Sequence, residues 1–91
     1  MIIDQEALRL AKVVTRHLLP RTLGVSAKID EDGNCLRLRA IRLSPDESVN
    51  VVVPGDAIRE CETLKDFQLQ VTDAVKEALF RAKLATVLAE P

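Results

Sequence analysis

The chain has 91 residues, of which 47% are hydrophobic and 30% charged, with a formal net charge of −1. This length suits one small domain, and the apolar fraction is too high for a chain that stays unfolded. No apolar run approaches the ~18 residues of a membrane span, and no basic segment precedes an apolar one as in a secretion signal. We therefore expect a single cytoplasmic domain over residues 1–91.

The residue types that carry most catalytic and cofactor motifs are scarce. The sequence holds one His, two Cys and three Gly, and it lacks Trp and Tyr. Cys35 and Cys61 have no paired neighbours for a zinc site, so we expect partly buried thiols. His17 lies near the end of a predicted helix, where a cation is favoured. We expect no metal, no cofactor, no small-molecule substrate and no catalytic residue, so the chain is predicted not to be an enzyme.

A first helix is predicted over residues 4–19. Asp4 is a good N-cap, and Ile3 is spaced to pack on Leu8 as a hydrophobic staple. Pro20 ends the helix because it disfavours helical geometry at the preceding residue. The apolar residues that recur at helical spacing form the predicted buried stripe: Ala7, Leu10, Ala11, Val14 and Leu18.

Two strands follow, over residues 22–30 and 35–43. Strict alternation directs Leu23 and every second residue after it towards the core. Asp32-Gly33 between the strands is a strong hairpin signal. A two-residue turn there gives three apolar pairs: Ile29 with Leu36, Ala27 with Leu38, and Val25 with Ala40.

A third strand is predicted over residues 48–53, after a turn centred on Pro45-Asp46. That turn pairs Leu38 with Val53, Ala40 with Val51, and Arg42 with Val49. Both turns keep the same face apolar, which predicts a three-stranded antiparallel meander. The third strand ends at Pro54 and lies at an edge of the sheet, where it can pair with a second copy or accept a peptide strand.

Residues 57–62 fit either a short helical turn or an extended connector. Thr63, with Asp66 three positions later, then begins a helix over residues 64–89. Its predicted buried stripe comprises Leu64, Phe67, Val71, Ala74, Val75, Ala78, Ala82 and Ala85. The predicted fold class is therefore α+β, in the order α-β-β-β-α, with the N- and C-terminal helices packed on one face of the sheet.

Two predicted surfaces carry apolar residues without an obvious place in the core. The far side of the last helix carries Leu69, Phe80, Leu84 and Val87, which we assign to a dimer or partner interface. The alternative is that this side packs on the first helix, whose Leu8 and Val13 also need a neighbour. The outer face of the sheet forms a secondary contact surface of Arg37, Arg39, Ile41 and Val52, unless the last helix or the 54–62 connector covers it.

These surfaces predict a non-catalytic protein–protein interaction module, such as an adaptor, a chaperone-like protein or a small complex subunit. We expect a homodimer or a protein partner, since two-fold pairs are the commonest soluble oligomers. The near-neutral net charge offers no general attraction to nucleic acid or a membrane.

The order of elements resembles the double-stranded-RNA-binding domain and, more loosely, the small dimeric nucleoid-associated proteins of the YbaB type. That resemblance implies nucleic-acid binding as the alternative function. The start of the last helix, which is lysine-rich in the RNA-binding family, here reads Thr63-Leu64-Lys65-Asp66-Phe67-Gln68. The basic residues left for such a contact are Arg9, Lys12, Arg16 and Arg21.

Overall fold

The computed structural model describes residues 3–30, 35–42 and 48–89, with side chains as far as residue 83. The elements in chain order are α1 (Gln5–Leu18), β1 (Thr22–Asp30), β2 (Cys35–Arg42), β3 (Val49–Val53), α2 (Gly55–Arg59) and α3 (Leu64–Ala89). This order confirms the predicted α-β-β-β-α arrangement. It also shows that the connector after β3 contains a short helix.

Helix α1 begins and ends where its capping residues predict. The Asp4 carboxylate accepts a hydrogen bond from the Ala7 backbone N–H at 2.9 Å. At the other end Leu19 has an extended backbone, as expected for a residue before proline. Ala7, Ala11 and Val14 are buried as predicted.

Thr15 is a buried polar residue that the apolar stripe of α1 did not include. Its side chain is fully enclosed, and its hydroxyl donates to the Ala11 carbonyl at 2.7 Å. This hydrogen bond satisfies the hydroxyl within its own helix, so burial leaves no unpaired group. Threonine can therefore occupy the core side of α1.

The β1–β2 hairpin has the register that the turn and the alternation predict. Ile29 pairs with Leu36, Ala27 with Leu38, and Val25 with Ala40. The turn itself, residues 31–34, lies outside the described residues. Its flanking strands nevertheless have the spacing that a turn at this position would produce.

The predicted register between β2 and β3 is wrong by two residues. The observed pairs are Leu36 with Val53, Leu38 with Val51, and Ala40 with Val49. A shift of two residues keeps every side chain on its predicted face, because the side-chain period of a strand is two. The observed register pairs an apolar residue with an apolar residue at all three positions, whereas the predicted register placed Arg42 opposite Val49.

Leu23 is not directed into the core. The β1–β2 pairing shifts between Thr22 and Gly24, which leaves Leu23 as the extra residue of a β-bulge. Its side chain is 64% exposed. The strict alternation assumed for β1 therefore begins only after the bulge.

Helix α3 begins at the predicted cap. The Asp66 backbone N–H donates to the Thr63 hydroxyl at 3.1 Å, and the Asp66 carboxylate accepts from the Glu62 N–H at 3.2 Å. These bonds satisfy backbone donors at the start of the helix that have no partner inside it.

Both terminal helices pack on the same face of the sheet, as predicted. Helix α1 lies across β1 and β2, α3 lies mainly over β3, and the two helices contact each other. The α3 residues Phe67, Val71 and Val75 are fully buried in the core between helices and sheet. The inner-face residues of β2 and β3 that complete this core are Leu36, Leu38, Ala40, Val49, Val51 and Val53.

The buried part of α3 is shorter than its predicted stripe. Leu64 and Ala82 are exposed, whereas Leu79, which the stripe omitted, packs partly against the core. A helix of 26 residues is about 39 Å long, whereas a strand of five residues such as β3 spans roughly 17 Å. The ends of α3 therefore extend beyond the strand on which its middle packs.

Candidate functional site

The outward side of α3 carries two exposed apolar side chains. Phe80 is 65% exposed and Leu69 is 55% exposed. The two lie eleven residues apart, which places them on the same side of a helix with 3.6 residues per turn. Both point away from the buried positions, so the alternative in which this side packs on α1 is wrong for these two residues.

The outward side of α3 is apolar at Leu69 and Phe80 but charged between them. Asp73 and Lys76 occupy the intervening turns and are exposed. Among the described side chains, the large apolar residues on this side are therefore two separate ones, Leu69 and Phe80. The backbone of α3 is helical through Ala89, while the side chains of Leu84 and Val87, predicted for the same interface, lie outside the described residues.

The outer face of the sheet is open, and the structure brings the predicted secondary contact surface together there. Arg37 lies directly opposite Val52, and Arg39 and Ile41 follow along β2. Ile41 is 42% exposed and Val52 is 47% exposed. Neither the last helix nor the short helix α2 covers them.

Three cations share this outer face with one carboxylate. Arg37 contacts Asp30 at 3.2 Å and lies directly opposite Lys28. Arg39 follows on the same side of β2, without an ion pair among the described residues. Like charges directly opposite each other across two strands are unfavourable. With three cations and one carboxylate, the outer face carries a local excess of positive charge beside the apolar Ile41 and Val52, although the whole chain has a net charge of −1.

A second open surface lies at the C-terminal end of the outer edge of β3. A groove of about 430 Å³ separates this edge from α3. Val52, Val53, Pro54 and Ala57 line one side. The α3 residues on the other side are Gln70, Asp73, Ala74, Glu77 and Arg81. Sequence reasoning identified the edge strand but not the groove, because the groove depends on where α3 crosses the sheet.

The basic stripe on α1 faces away from the sheet. Arg9, Lys12 and Arg16 are all exposed, and none forms an ion pair within the described ranges. Because α1 packs on the inner face, this stripe and the basic outer face of the sheet lie on opposite sides of the molecule. The two cannot form one continuous basic surface.

The remaining residue of the predicted basic set lies in a tight connection. Arg21 has φ of 66°, in the left-handed region that is costly for a residue with a Cβ atom. Beside it Arg42 donates to the Pro20 carbonyl at 3.1 Å, while the buried Nε of Arg42 has no hydrogen-bond partner among the described residues. This corner joins the end of α1 to the end of the sheet.

Both cysteines are free and buried. The Cys61 thiol donates to the Ala57 carbonyl at 3.2 Å. Burial, together with the nearby carboxylate of Asp66, raises the pKa of the Cys61 thiol. A raised pKa lowers the fraction of reactive thiolate, so the environment favours a structural thiol over a nucleophile.

Within the described part of the chain, no group of three or more His, Cys, Asp or Glu side chains is arranged to hold a metal ion. None of its helices has an apolar stretch long enough to cross a lipid bilayer.

Comparison of the chain with protein-family models, with curated proteins and with solved structures gives no match.

Proposed function

We propose that this chain is a non-catalytic protein–protein interaction module that forms a homodimer through the outward side of α3. The observation that carries the proposal is the exposure of Phe80, at 65%, where α3 extends past the core. Contiguous apolar surface usually marks a contact with another protein, and Leu84 and Val87 follow Phe80 at helical spacing in the sequence. In a two-fold dimer the same patch meets itself, so one exposed aromatic side chain on each copy covers the other.

The shape of α3 supports this proposal. Among the described side chains of α3, Leu79 is the last that packs partly against the core, and the next four, residues 80–83, are all exposed. These four residues make more than one helical turn, and an exposed turn gains little stability from its own domain. Packing against a second copy would supply the missing apolar contacts.

The test is the molar mass of the untagged protein, measured by light scattering during size-exclusion chromatography. We expect a dimer for the natural sequence and a monomer for Phe80→Asp. Val13→Asp is the matched control, because Val13 is an apolar residue on α1 that is 58% exposed. This control should remain a dimer. A Phe80→Asp protein that remains dimeric would show that the interface lies elsewhere.

Nucleic-acid binding is the second candidate function. It is favoured by the three exposed cations Arg9, Lys12 and Arg16, which lie along one side of α1 without ion pairs within the described ranges. The same chromatography, read at 260 nm, tests it. The chain lacks Trp and Tyr, so bound nucleic acid would dominate the absorbance. A nuclease-sensitive signal that Arg16→Gln lowers would favour this function over the first.

A further inference from the structure

Strand β3 is an edge strand whose protection is limited to its short length and to Pro54, which follows it. Its residues, Val49–Val53, contain no charge, and its pairing with β2 is regular. The opposite edge, β1, has a bulge at Leu23 and carries Lys28. Bulges and lysines discourage the addition of another strand. Half of the backbone N–H and C=O groups of β3 point away from β2, towards open space.

Helix α3 extends laterally beyond β3. Helix α1 packs on β1 and β2, mainly on β1, and α3 packs beside it over β3. Packed helices lie about 8–10 Å apart, whereas strands lie about 4.8 Å apart. The axis of α3 therefore lies at or slightly beyond β3, and its side chains reach farther out, where Asp73 and Glu77 line the groove. The two helices together cover about four strand widths, while the sheet has three strands.

The space left by the missing fourth strand is the groove beside β3. The groove has a volume of about 430 Å³ and lies between the C-terminal end of β3 and the flank of α3. Ala74 presents only a methyl group above it, and Val53 and Ala57 add apolar surface. A strand placed there could form backbone hydrogen bonds with β3 and make apolar contacts with the side of α3 that carries Ala74.

The rim of the groove on α3 is acidic. Asp73 and Glu77 both line it, and Arg81 contacts Glu77 at 2.7 Å. Asp73 has no ion pair among the described residues. A cation on the incoming strand would therefore find Asp73 available.

We propose that the β3 edge binds an extended segment of another protein, which adds to the sheet as a fourth strand. The segment is apolar at alternate positions, where its side chains lie beneath Ala74, and carries a lysine or arginine that reaches Asp73. This inference builds on the proposed interaction function, for which it names the kind of partner. Backbone hydrogen bonds to β3 supply affinity, and the alternating side chains supply selectivity.

A second copy of this chain fits the β3 edge poorly. If two β3 strands paired, each copy would bring its own α3 over the same gap. Each α3 lies over its own β3 or slightly beyond it, so the two helix axes would lie within about 5 Å of each other, closer than the 8–10 Å at which helices pack. A bare extended segment has no such helix.

The probe is a fluorescein-labelled peptide of eight residues that alternates valine and threonine between two terminal lysines. Its binding is followed by fluorescence anisotropy on the whole chain, and we expect saturable binding. Two control peptides have the same sequence, each N-methylated on the amides of one edge. Methylation removes the donors that pair with β3, so one of the two should lose at least tenfold in affinity.

Three variants of the chain locate the binding site. Ala74→Met fills the groove from above and should weaken binding at least tenfold, while circular dichroism checks that the helices remain. Asp73→Asn removes only an exposed charge and should weaken binding about threefold. Glu6→Gln, which removes an exposed charge on α1, is the matched control and should bind normally.

The amide resonances of the protein supply a second, independent readout. On peptide addition the amides of Val49–Val53 should shift, while those of Thr22–Asp30 remain in place. Absence of saturable binding, equal binding of both methylated peptides, or shifts confined to β1 would each overturn the proposal. So would a fall in the bound fraction of peptide at high protein concentration, which would show that a second copy occupies the edge.

The dimer and the strand site fail in different ways. A monomeric chain that binds the peptide would refute dimerisation through Phe80 and leave the strand site intact. A dimeric chain that does not bind the peptide would refute the strand site and leave the dimer proposal intact.

Discussion

The two phenylalanines of this chain provide a matched test of which side of α3 belongs to the domain and which to a partner. Phe67 and Phe80 are the only aromatic residues, and both lie on α3. Phe67 is fully buried, whereas Phe80 is 65% exposed. Replacement of each by alanine removes the same atoms from the same helix, so the difference reports the environment.

The expected magnitudes differ several-fold. Phe67→Ala leaves a cavity in the core and should cost about 3–5 kcal/mol of unfolding free energy. That is a large part of the roughly 5–15 kcal/mol by which small domains are stable. About a third of Phe80 is covered, so Phe80→Ala should cost the separate monomer about 0.5–1 kcal/mol, a third of a full burial.

The assay is urea-induced unfolding followed by far-ultraviolet circular dichroism, at two widely separated protein concentrations. A dimer gains apparent stability with concentration, so the midpoint of the natural sequence should rise with concentration and that of Phe80→Ala should not. If Phe80→Ala cost as much as Phe67→Ala at the lower concentration, Phe80 would pack within its own domain. The dimer proposal would then lose its basis.

Three further predictions concern the sheet and its connections. Arg21→Gly should raise the unfolding free energy by up to about 1 kcal/mol, since glycine adopts the left-handed backbone of this position without a Cβ clash; a loss measured by urea unfolding would contradict this account. Lys28→Glu should stabilise the sheet by about 0.2–1 kcal/mol, because it replaces a like-charge pair with Arg37 by an attractive one. That gain should shrink in high salt, and a gain independent of salt would refute the electrostatic explanation. The raised pKa of the Cys61 thiol means that the unfolded chain releases this proton at lower pH than the folded chain. Its contribution to stability is complete below the pKa of the unfolded thiol and is lost as pH rises through the folded pKa. Cys61→Ala should flatten this alkaline loss in thermal unfolding, and an unchanged pH dependence would show that Cys61 is not its source.

The first hairpin could be predicted in detail because two independent signals agree on it. The Asp32-Gly33 pair specifies a short turn, and the alternation of β1 and β2 specifies which faces meet, so only one register satisfies both. The β2–β3 connection has no such constraint. Alternation fixes the face of Val51, but a two-residue shift leaves that face unchanged. The two registers differ in whether Ala40 or Arg42 lies opposite Val49, and the structure has Ala40 there.

The surfaces were predictable to different degrees for a similar reason. Helical spacing alone places Leu69 and Phe80 opposite the buried side of α3. The end of the core near Leu79 depends on the length of β3 relative to α3, which local patterns do not encode. The groove beside β3 depends in turn on the lateral position of α3 over the sheet, which no spacing in the sequence specifies.

The position of Val52 links the two surfaces that β3 presents. Its side chain belongs to the open outer face, and it also lines the groove at the edge. An added fourth strand would extend the outer face by one strand beyond Val52, at a distance of two strand spacings from Arg37, or roughly 10 Å. Exposed charges at that separation are about one Debye length apart at physiological salt and interact weakly. Docking at the β3 edge should therefore depend on Ala74 and Asp73 far more than on Arg37, which leaves the basic outer face free to contact a second partner at the same time.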